Sequence, residues 1–449
     1  MDGGPALTAV LAAPPRAPVG ALRLLAGLAA ADRSWSGQPA TYPEHLRRWG
    51  PLPPVGTGSP DLALIGVVEQ SGLLGRGGAG FPTGRKLRSV AGGRRRAVVV
   101  ANGAEGEPAS HKDQLLLRAT PHLVLDGLLL AARAVGAQEA YLCLHTRAVG
   151  LPAVRAALAE RGRLPIRVEV VEVPARYVAS EGSALVNWIG GGSAVPLVTP
   201  PRLHERGVAG RPTLVQNVET LANLALIARW GADWFRSVGT PAEPGSLLLT
   251  VSGAVSMPGV LEVPTGTTIG TALELAGGDL RRTAAVLVGG YFGGWLPTAA
   301  AARTPLTHTA LRAAGLGLGA GVLVALPPGA CGLVETARVA TYLAGQSAGQ
   351  CGPCRFGLAS VASALQAVAT CDRQSRASAA EVRRLSPLVE GRGACKMPDG
   401  AIRLISTALQ VFATEVDQHV RYGRCSHAGH RMAPVLPIPV STSTVGEGR

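Results

Sequence analysis

Between Arg94 and Arg163 the chain alternates twice between a short apolar run and a helical repeat: RRRAVVVAN, HLVLDGLLLAARAVGA, AYLCLH, PAVRAALAERGR. This alternation constrains the fold more than any other feature. Parallel neighbours cannot be joined by a tight hairpin; they need a long crossover, and a helix is the usual one. The pattern therefore predicts βαβ units, a mostly parallel sheet and an α/β fold. The first helix reads as amphipathic and ends at a glycine C-cap, Gly136. Further on, RPTLVQNVETLANLALIARWG reads as a loop leading into a helix.

The rest of the 449 residues leaves room for about three domains in all. Residues 1–60 form an N-terminal extension rich in Pro, Gly and Ala, with no nameable chemistry. Residues 61–240 hold the α/β domain. Residues 246–328 begin SLLLTVSGAVSMPGVLEVP, two short strands around a turn, and make a compact β-rich module. Residues 329–425 carry four helical patterns with short connections, which favours a bundle. Residues 426–449 are Pro- and Ser-rich and are expected to be disordered.

The longest uncharged run, AAGLGLGAGVLVALPPGACGLV, is long enough to raise a membrane question. Glycines and a Pro-Pro pair break it, so a buried strand GVLVAL is expected and no direct membrane insertion. The N-terminus lacks a basic stretch before its apolar residues, a poor secretory signal, so a cytoplasmic location is expected. The formal charge of +14 is almost all arginine; the only lysines are Lys86, Lys112 and Lys396. The arginine bias reads first as an effect of genome composition; the functional reading is an acidic partner steered in by the positive field. No basic run is interleaved with aromatics, which argues against nucleic acid.

Seven cysteines in a chain of this length do not make a disulfide scaffold. Cys351 and Cys354 lie in GQCGPCRFG, between the first two helical patterns of the bundle, and Cys395 lies between the third and fourth. In an antiparallel bundle both loops share one end, so three thiolates can converge. A C-x-x-C pair can hold zinc or iron–sulfur, or cycle as a disulfide. Structural zinc takes four ligands, a redox pair needs no distant third cysteine, and iron–sulfur chemistry tolerates an unusual fourth ligand. A cluster is favoured; zinc or no metal stays open. Cys331, Cys371 and Cys425 belong at or beyond the opposite end, Cys371 roughly 24 Å from Cys354 by helical rise. Each reads as a small buried hydrophobe.

LLGRGGAGFPTGRKL is the second constellation. Its glycines, Gly75, Gly77, Gly78 and Gly80 among them, suit a backbone that approaches a ligand closely. Arg76 and Lys86 supply charge for a phosphate, and Phe81 supplies a face for stacking. NGAEGEP follows the VVV run at the carboxyl end of a parallel strand, where open α/β sheets bind ligands. This places Asn102, Glu105 and Glu107 as polar contacts. Gln216, Asn217 and Thr220 stand at a helix start, whose free N–H groups favour phosphate.

Taken in order, GRGGAGFPTGRKL, NGAEGEP, YVASEGSAL, PTLVQNVET and CGPCR with the later Cys395 resemble the family of peripheral flavoprotein subunits of respiratory complex I, also present in NAD-linked hydrogenases and formate dehydrogenases. NGAEGEP is also close to a loop of the Rnf-complex C subunit. The resemblance covers about residues 60–425. It implies an FMN-binding α/β domain, a β-grasp module and a four-helix bundle carrying an iron–sulfur site. It implies NAD(P)H dehydrogenase-type chemistry: electrons pass from NAD(H) or NADP(H) through FMN to the cluster and on to a ferredoxin-like or other iron–sulfur subunit of a hetero-oligomer. Ser180 and Glu181 join the implied cofactor contacts, and Cys351, Cys354 and Cys395 are the implied cluster ligands.

The departures are specific. The family's S-C-G-x-C-x-P-C-R appears as SAGQCGPCR, so Ala348 stands where the first cysteine would be. That leaves three alternatives: a 3Fe-4S cluster, a 4Fe-4S cluster with a water or a side chain such as Asp399 or Ser347 as fourth ligand, or loss of the cluster. Ser180 and Gly182 replace a glycine and a glutamate, and Arg202 replaces the aromatic of K-P-P-F. The flavin-facing elements survive better than the dinucleotide-facing ones. A degenerate flavin-binding relay without NADH oxidation is the alternative reading.

Overall fold

Four parallel strands, β1 (Val98–Asn102), β2 (Glu139–His145), β3 (Arg167–Val173) and β4 (Thr213–Asn217), form the first sheet in the order β3-β2-β1-β4. The computed structural model describes residues 22–26, 28, 37–53, 58–427 and 433–439. Every residue of β1 but the last is buried, as a central strand covered on both faces requires. β4 corrects the loop expected before the helix. Its TLVQN pairs in register with β1, from Val98 opposite Thr213 to Asn102 opposite Asn217. A five-residue strand carries too little periodicity to stand out; its pairing with β1 makes it a strand.

The helix Pro121–Val135 ends at Gly136 in the left-handed conformation, φ +68. It is buried nearly all round rather than amphipathic, because the helix Val218–Arg236 packs along it and Gly127 sits against the backbone of Leu221. At Gly127 a Cβ would come within 2.0 Å of the Leu221 carbonyl oxygen. Asp126 carries charge into this interior and pairs there with His45 at 2.8 Å, Arg161 at 2.7 Å and Arg229.

The second sheet contains β5 (Ser246–Gly253), β6 (Gly259–Pro264), β7 (Ala285–Val288), β8 (Gly294–Pro297) and β9 (Val322–Leu326). Its order is β6-β5-β9-β7-β8, with β5 and β9 parallel and the other pairs antiparallel. β9 is the buried strand expected inside the long uncharged run. Among the described residues no single helix is long and apolar enough to cross a membrane.

The C-terminal region is helical: Gly332–Gln346, Ala359–Ala369, Ser375–Val389, Met397–Val411 and Ala413–Tyr422. A π-helical turn, Pro353–Leu358, leads into the second of these and contains Cys354. The single last helix expected from the sequence breaks at Phe412, which leaves helical geometry (φ −104, ψ 34). Its ring docks edge-on against Trp295, with centroids 5.2 Å apart. Part of the expected disordered tail lies outside the described residues, but 433–439 packs down. Leu436 is fully buried, and its N–H donates to Glu335 at 2.9 Å.

Candidate functional site

A cleft of about 440 Å³ opens where the carboxyl end of the first sheet meets the loops of the second and the helix Met397–Val411. Polar and glycine positions line it from all three regions. Arg76, Gly77, Gly78, Asn102, Glu105, Glu107, Ser180, Glu181 and Asn217 come from the first; Phe292 and Gly319 from the second; Cys395, Lys396, Asp399 and Arg403 from the third. Gly78 has φ +107, and a Cβ there would lie 3.1 Å from the Gly319 carbonyl oxygen. Only glycine lets this loop lie against the second unit.

Two carboxylates dominate the wall. Glu107 accepts hydrogen bonds from the N–H of Tyr291 at 2.7 Å, the N–H of Ala109 at 3.2 Å and the Tyr177 hydroxyl at 3.0 Å. Burial nevertheless pushes its carboxyl up to about 7. Glu105 accepts from Ser110 and from the N–H groups of Asp113 and Gln114. Burial and then the Asp113 charge push it up to about 7 as well. Deeper lies Lys112, which pairs with Asp113 at 2.8 Å and Glu219 at 2.9 Å. Burial alone would lower this ammonium; Asp113, Glu219 and Glu105 together hold it above its ordinary value.

Asn217 caps the helix Val218–Arg236 by accepting from the Glu219 N–H at 3.0 Å, and its Nδ2 donates to Asp113 at 2.6 Å. Thr220 lies behind the lining and accepts the Arg76 N–H at 2.8 Å. Gln216 is buried on β4, outside the cleft lining. The Arg76 guanidinium does not present itself as a free phosphate contact. It is turned inward, 4.0 Å from Glu219, with the Pro244 carbonyl at 3.5 Å.

Lys86 also departs from expectation: its Nζ donates to the Val215 carbonyl on β4. Burial lowers this ammonium to about 8. Lys86, the half-exposed Phe81 and Arg202 line a second hollow of about 650 Å³ instead. The reason is local: the helix Thr83–Ala91 starts directly after Pro82 and sets Lys86 against Val215 of β4, at the second hollow. Gly75 and Gly80 shape the loop rather than the cleft. Gly75 bonds across it to Phe81 at 2.9 Å, and a Cβ on Gly80 would collide with His308 at 2.5 Å.

The three thiols of Cys351, Cys354 and Cys395 come together as the antiparallel arrangement requires. Burial and the neighbouring Cys351 and Cys395 push Cys354 up to about 12. The N–H groups of Ala394 and Cys354 point at the Cys351 sulfur and outweigh its burial, lowering that thiol. Burial raises Cys395, against an N–H from Met397. Cys395 also lines the cleft. The Asp399 carboxylate is engaged by the Gly391 N–H at 2.8 Å and by Lys396 at 3.0 Å. Ser347 closes the helix Gly332–Gln346, and its carbonyl accepts from Arg176 at 3.2 Å.

Sequence reasoning missed Lys112, Asp113, Tyr177, Phe292, Lys396 and Arg403 as cleft residues. HKD follows NGAEGEPAS directly, and Lys112 is one of three lysines, so that pair carried a signal. Phe292 and Arg403 reach the cleft from other units and carried none.

Residues 68–226 match the family described as the Nuo51 FMN-binding domain. Residues 335–419 match the NADH-ubiquinone oxidoreductase-F iron-sulfur binding region, and residues 248–287 the SLBB domain. The chain is 31% identical over 389 residues to the F 2 subunit of the NADH-quinone oxidoreductase of Rhizobium meliloti, covering 83% of this chain and 91% of that protein. It is 32% identical over 416 residues to the F subunit of the NADH-quinone oxidoreductase of Mycobacterium bovis, covering 86% and 91%. A solved structure of an NAD+-reducing NiFe-hydrogenase in the H2-reduced state matches with a TM-score of 0.75 at 30% identity. The match covers 80% of this chain and 62% of the hydrogenase chain.

Proposed function

The chain belongs to the family of NADH-quinone oxidoreductase F subunits, and on that premise we propose that it is an NADH dehydrogenase-type oxidoreductase subunit carrying electrons from NADH through FMN to an iron–sulfur cluster. One observation carries the reading: Cys395 belongs both to the wall of the cleft and to the thiol set. The donor pocket and the iron site therefore share a residue, as a short electron route needs.

The residues fit both groups. The cleft volume falls within the roughly 300–1,000 Å³ of small-molecule sites, and Gly77 and Gly78 present no side chain where they line it. The thiol donors, with N–H groups aimed at sulfur, suit iron–sulfur ligation. Bound FMN would accept a hydride and release its electrons singly. Gly77, Gly78, Asn102, Ser180 and Asn217 would hold and orient it. Glu181, which caps the helix Gly182–Ile189 through the N–H groups of Ser183 and Ala184, fixes that side of the cleft. Glu107 can hold a proton on its carboxyl oxygen near neutral pH. Lys86, Gln216 and Thr220 support β4 and the helix after it. Cys351, Cys354 and Cys395 would ligate the cluster.

Residues 61–240 act as the FMN-binding unit on this reading. Residues 246–328 form a β-grasp module, supported by the central parallel pair β5–β9. Residues 329–425 form the cluster-bearing bundle. The acceptor is a ferredoxin-like or other iron–sulfur subunit of a larger complex. The cysteine loop supports this, since Phe356 beside it is 67% exposed. The test is the absorbance spectrum of anaerobically purified protein before and after NADH. Flavin bands with a broad iron–sulfur shoulder, bleached by NADH, are expected. Flavin that ignores NADH overturns the proposal in favour of a relay role.

A further inference from the structure

Cys331, His419 and Cys425 take no part in the cleft or the iron site, yet their ligand atoms all lie within 4.8 Å of one another. We propose that these three residues, completed by Cys371, form a structural zinc site at the end of the helical region away from the iron site. Cys331 N-caps the helix Gly332–Gln346, and the iron-site loop follows that helix's other end. Its 15 residues separate the two sites by about 22 Å. The sequence placed the three cysteines at this end but offered no reason to join them.

The geometry suits zinc. The Cys331 sulfur lies 3.8 Å from His419 Nε2. A tetrahedral ion with the usual Zn–S and Zn–N bonds puts sulfur and nitrogen about 3.6 Å apart. His419 Nδ1 lies 3.0 Å from the Val368 carbonyl oxygen. A carbonyl only accepts, so the ring proton sits on Nδ1 and the Nε2 lone pair faces the sulfur. This is the arrangement that orients metal-bound histidines.

His419 is fully buried and Cys331 nearly so, while Cys425 and Cys371 are half-buried at the edge of the site. Cys371 leaves the helix Ala359–Ala369 with φ +56, three residues past Val368. It stands outside the 4.8 Å group, and burial and then the neighbouring Cys425 raise its thiol. An S–H···N bond between Cys331 and His419 would explain one sulfur; it does not explain why the Cys425 sulfur converges on the pair. Binding replaces three thiol protons with one Zn²⁺, releases three H⁺ and ties together the ends of three helices that are far apart in sequence.

The test uses the full chain, purified anaerobically from zinc-supplemented medium. About one tightly held zinc per chain is expected, with a zinc-edge X-ray absorption shell of sulfur and one imidazole nitrogen. That signal is element-specific and blind to iron. Cys331→Ser and His419→Gln should each weaken zinc retention at least about tenfold, with iron and flavin contents unchanged. Cys371→Ser should remove one sulfur from the shell; an unchanged shell overturns Cys371 as the fourth ligand. Wild-type protein with less than about 0.1 zinc per chain overturns the site. So does a Cys331–Cys425 disulfide seen by mass spectrometry in the anaerobic preparation.

Discussion

The Glu107 carboxylate accepts the backbone N–H of Tyr291 over 2.7 Å and so fastens the loop after β1 to the turn between β7 and β8. The two residues are 184 positions apart. This joint is one of several between the two walls of the cleft, beside the Ser110 hydroxyl on the Ala320 carbonyl and the Leu248 N–H on Glu219, and it is made by a carboxyl that burial has weakened as an acid.

Stability should therefore depend on the Glu107 proton. Its folded value, about 7, lies above the ordinary carboxylate value of 4.5. The stabilising contribution of the protonated form is complete below the ordinary value and is lost as pH rises through about 7. The full shift corresponds to on the order of 3 kcal/mol. Flavin-free Glu107→Gln should show a flatter pH dependence in urea unfolding between about pH 5 and 8. Some slope should remain, because Glu105 is raised in the same direction. An unaltered slope would contradict the assignment.

Lys112 is buried among carboxylates and cannot be removed cheaply. Lys112→Met leaves Asp113 and Glu219 without their shared cation. Breaking a buried pair from one side typically costs about 3–5 kcal/mol. Glu219 also accepts the Leu248 N–H of β5 at 3.0 Å, so the loss should loosen the contact between the two sheets. Chemical denaturation of the variant should show the drop, and a change under about 1 kcal/mol would argue that the cluster is water-relaxed.

Flavin retention should separate two residues that the sequence treated alike. Asn217 lies in the cleft, whereas Lys86 is spent on the Val215 carbonyl. Asn217→Ala removes the helix cap and the bond to Asp113 at the cleft wall and should weaken FMN binding by about tenfold. Lys86→Ala should cost less. Fluorescence titration of the apoprotein decides the order, and the reverse result would move the phosphate towards the second hollow.

Ala348 half-buries against the same apolar cluster as Cys395, and by the family motif it stands where a further cysteine ligand is expected. An iron held there without a thiolate should be labile. Air-exposed protein should give a 3Fe-4S signal by electron paramagnetic resonance, and ferrous iron with reductant should convert it towards 4Fe-4S. Ala348→Cys should make the four-iron form resistant to air. Cys351→Ala or Cys395→Ala should abolish the cluster, whereas Cys371→Ala should spare it. Loss of iron in Cys371→Ala would show that the two metal ends of the helical region are not separate.

Parts of this molecule are legible in residue order alone. The repeat of RRRAVVVAN, helix, AYLCLH, helix specifies parallel strands, because each run reports its own period and its own burial. The glycines around Gly78 and the spacing of Cys351 and Cys354 mark a close approach and a thiolate pair by local chemistry alone. Ala348 is visible as an absent ligand only through the resemblance of SAGQCGPCR to the family's S-C-G-x-C-x-P-C-R. Local pattern misleads where local geometry is decided elsewhere: TLVQN becomes a strand only beside β1, and the last helix breaks at Phe412 because its ring docks on Trp295.

The sequence by itself thus determined the alternation of strand and helix that makes the first sheet parallel, and offered the glycine loop and the three cysteines as candidates. Tertiary structure alone decided that Lys86 faces away from the cleft, that Glu107 is a weakened acid, and that Cys331 meets His419 across 88 residues. Periodicity along a chain reports which face of an element is buried. It does not report which other element covers that face. Desolvation, ion pairing and metal geometry all depend on that second element, so they appear only once the chain is packed.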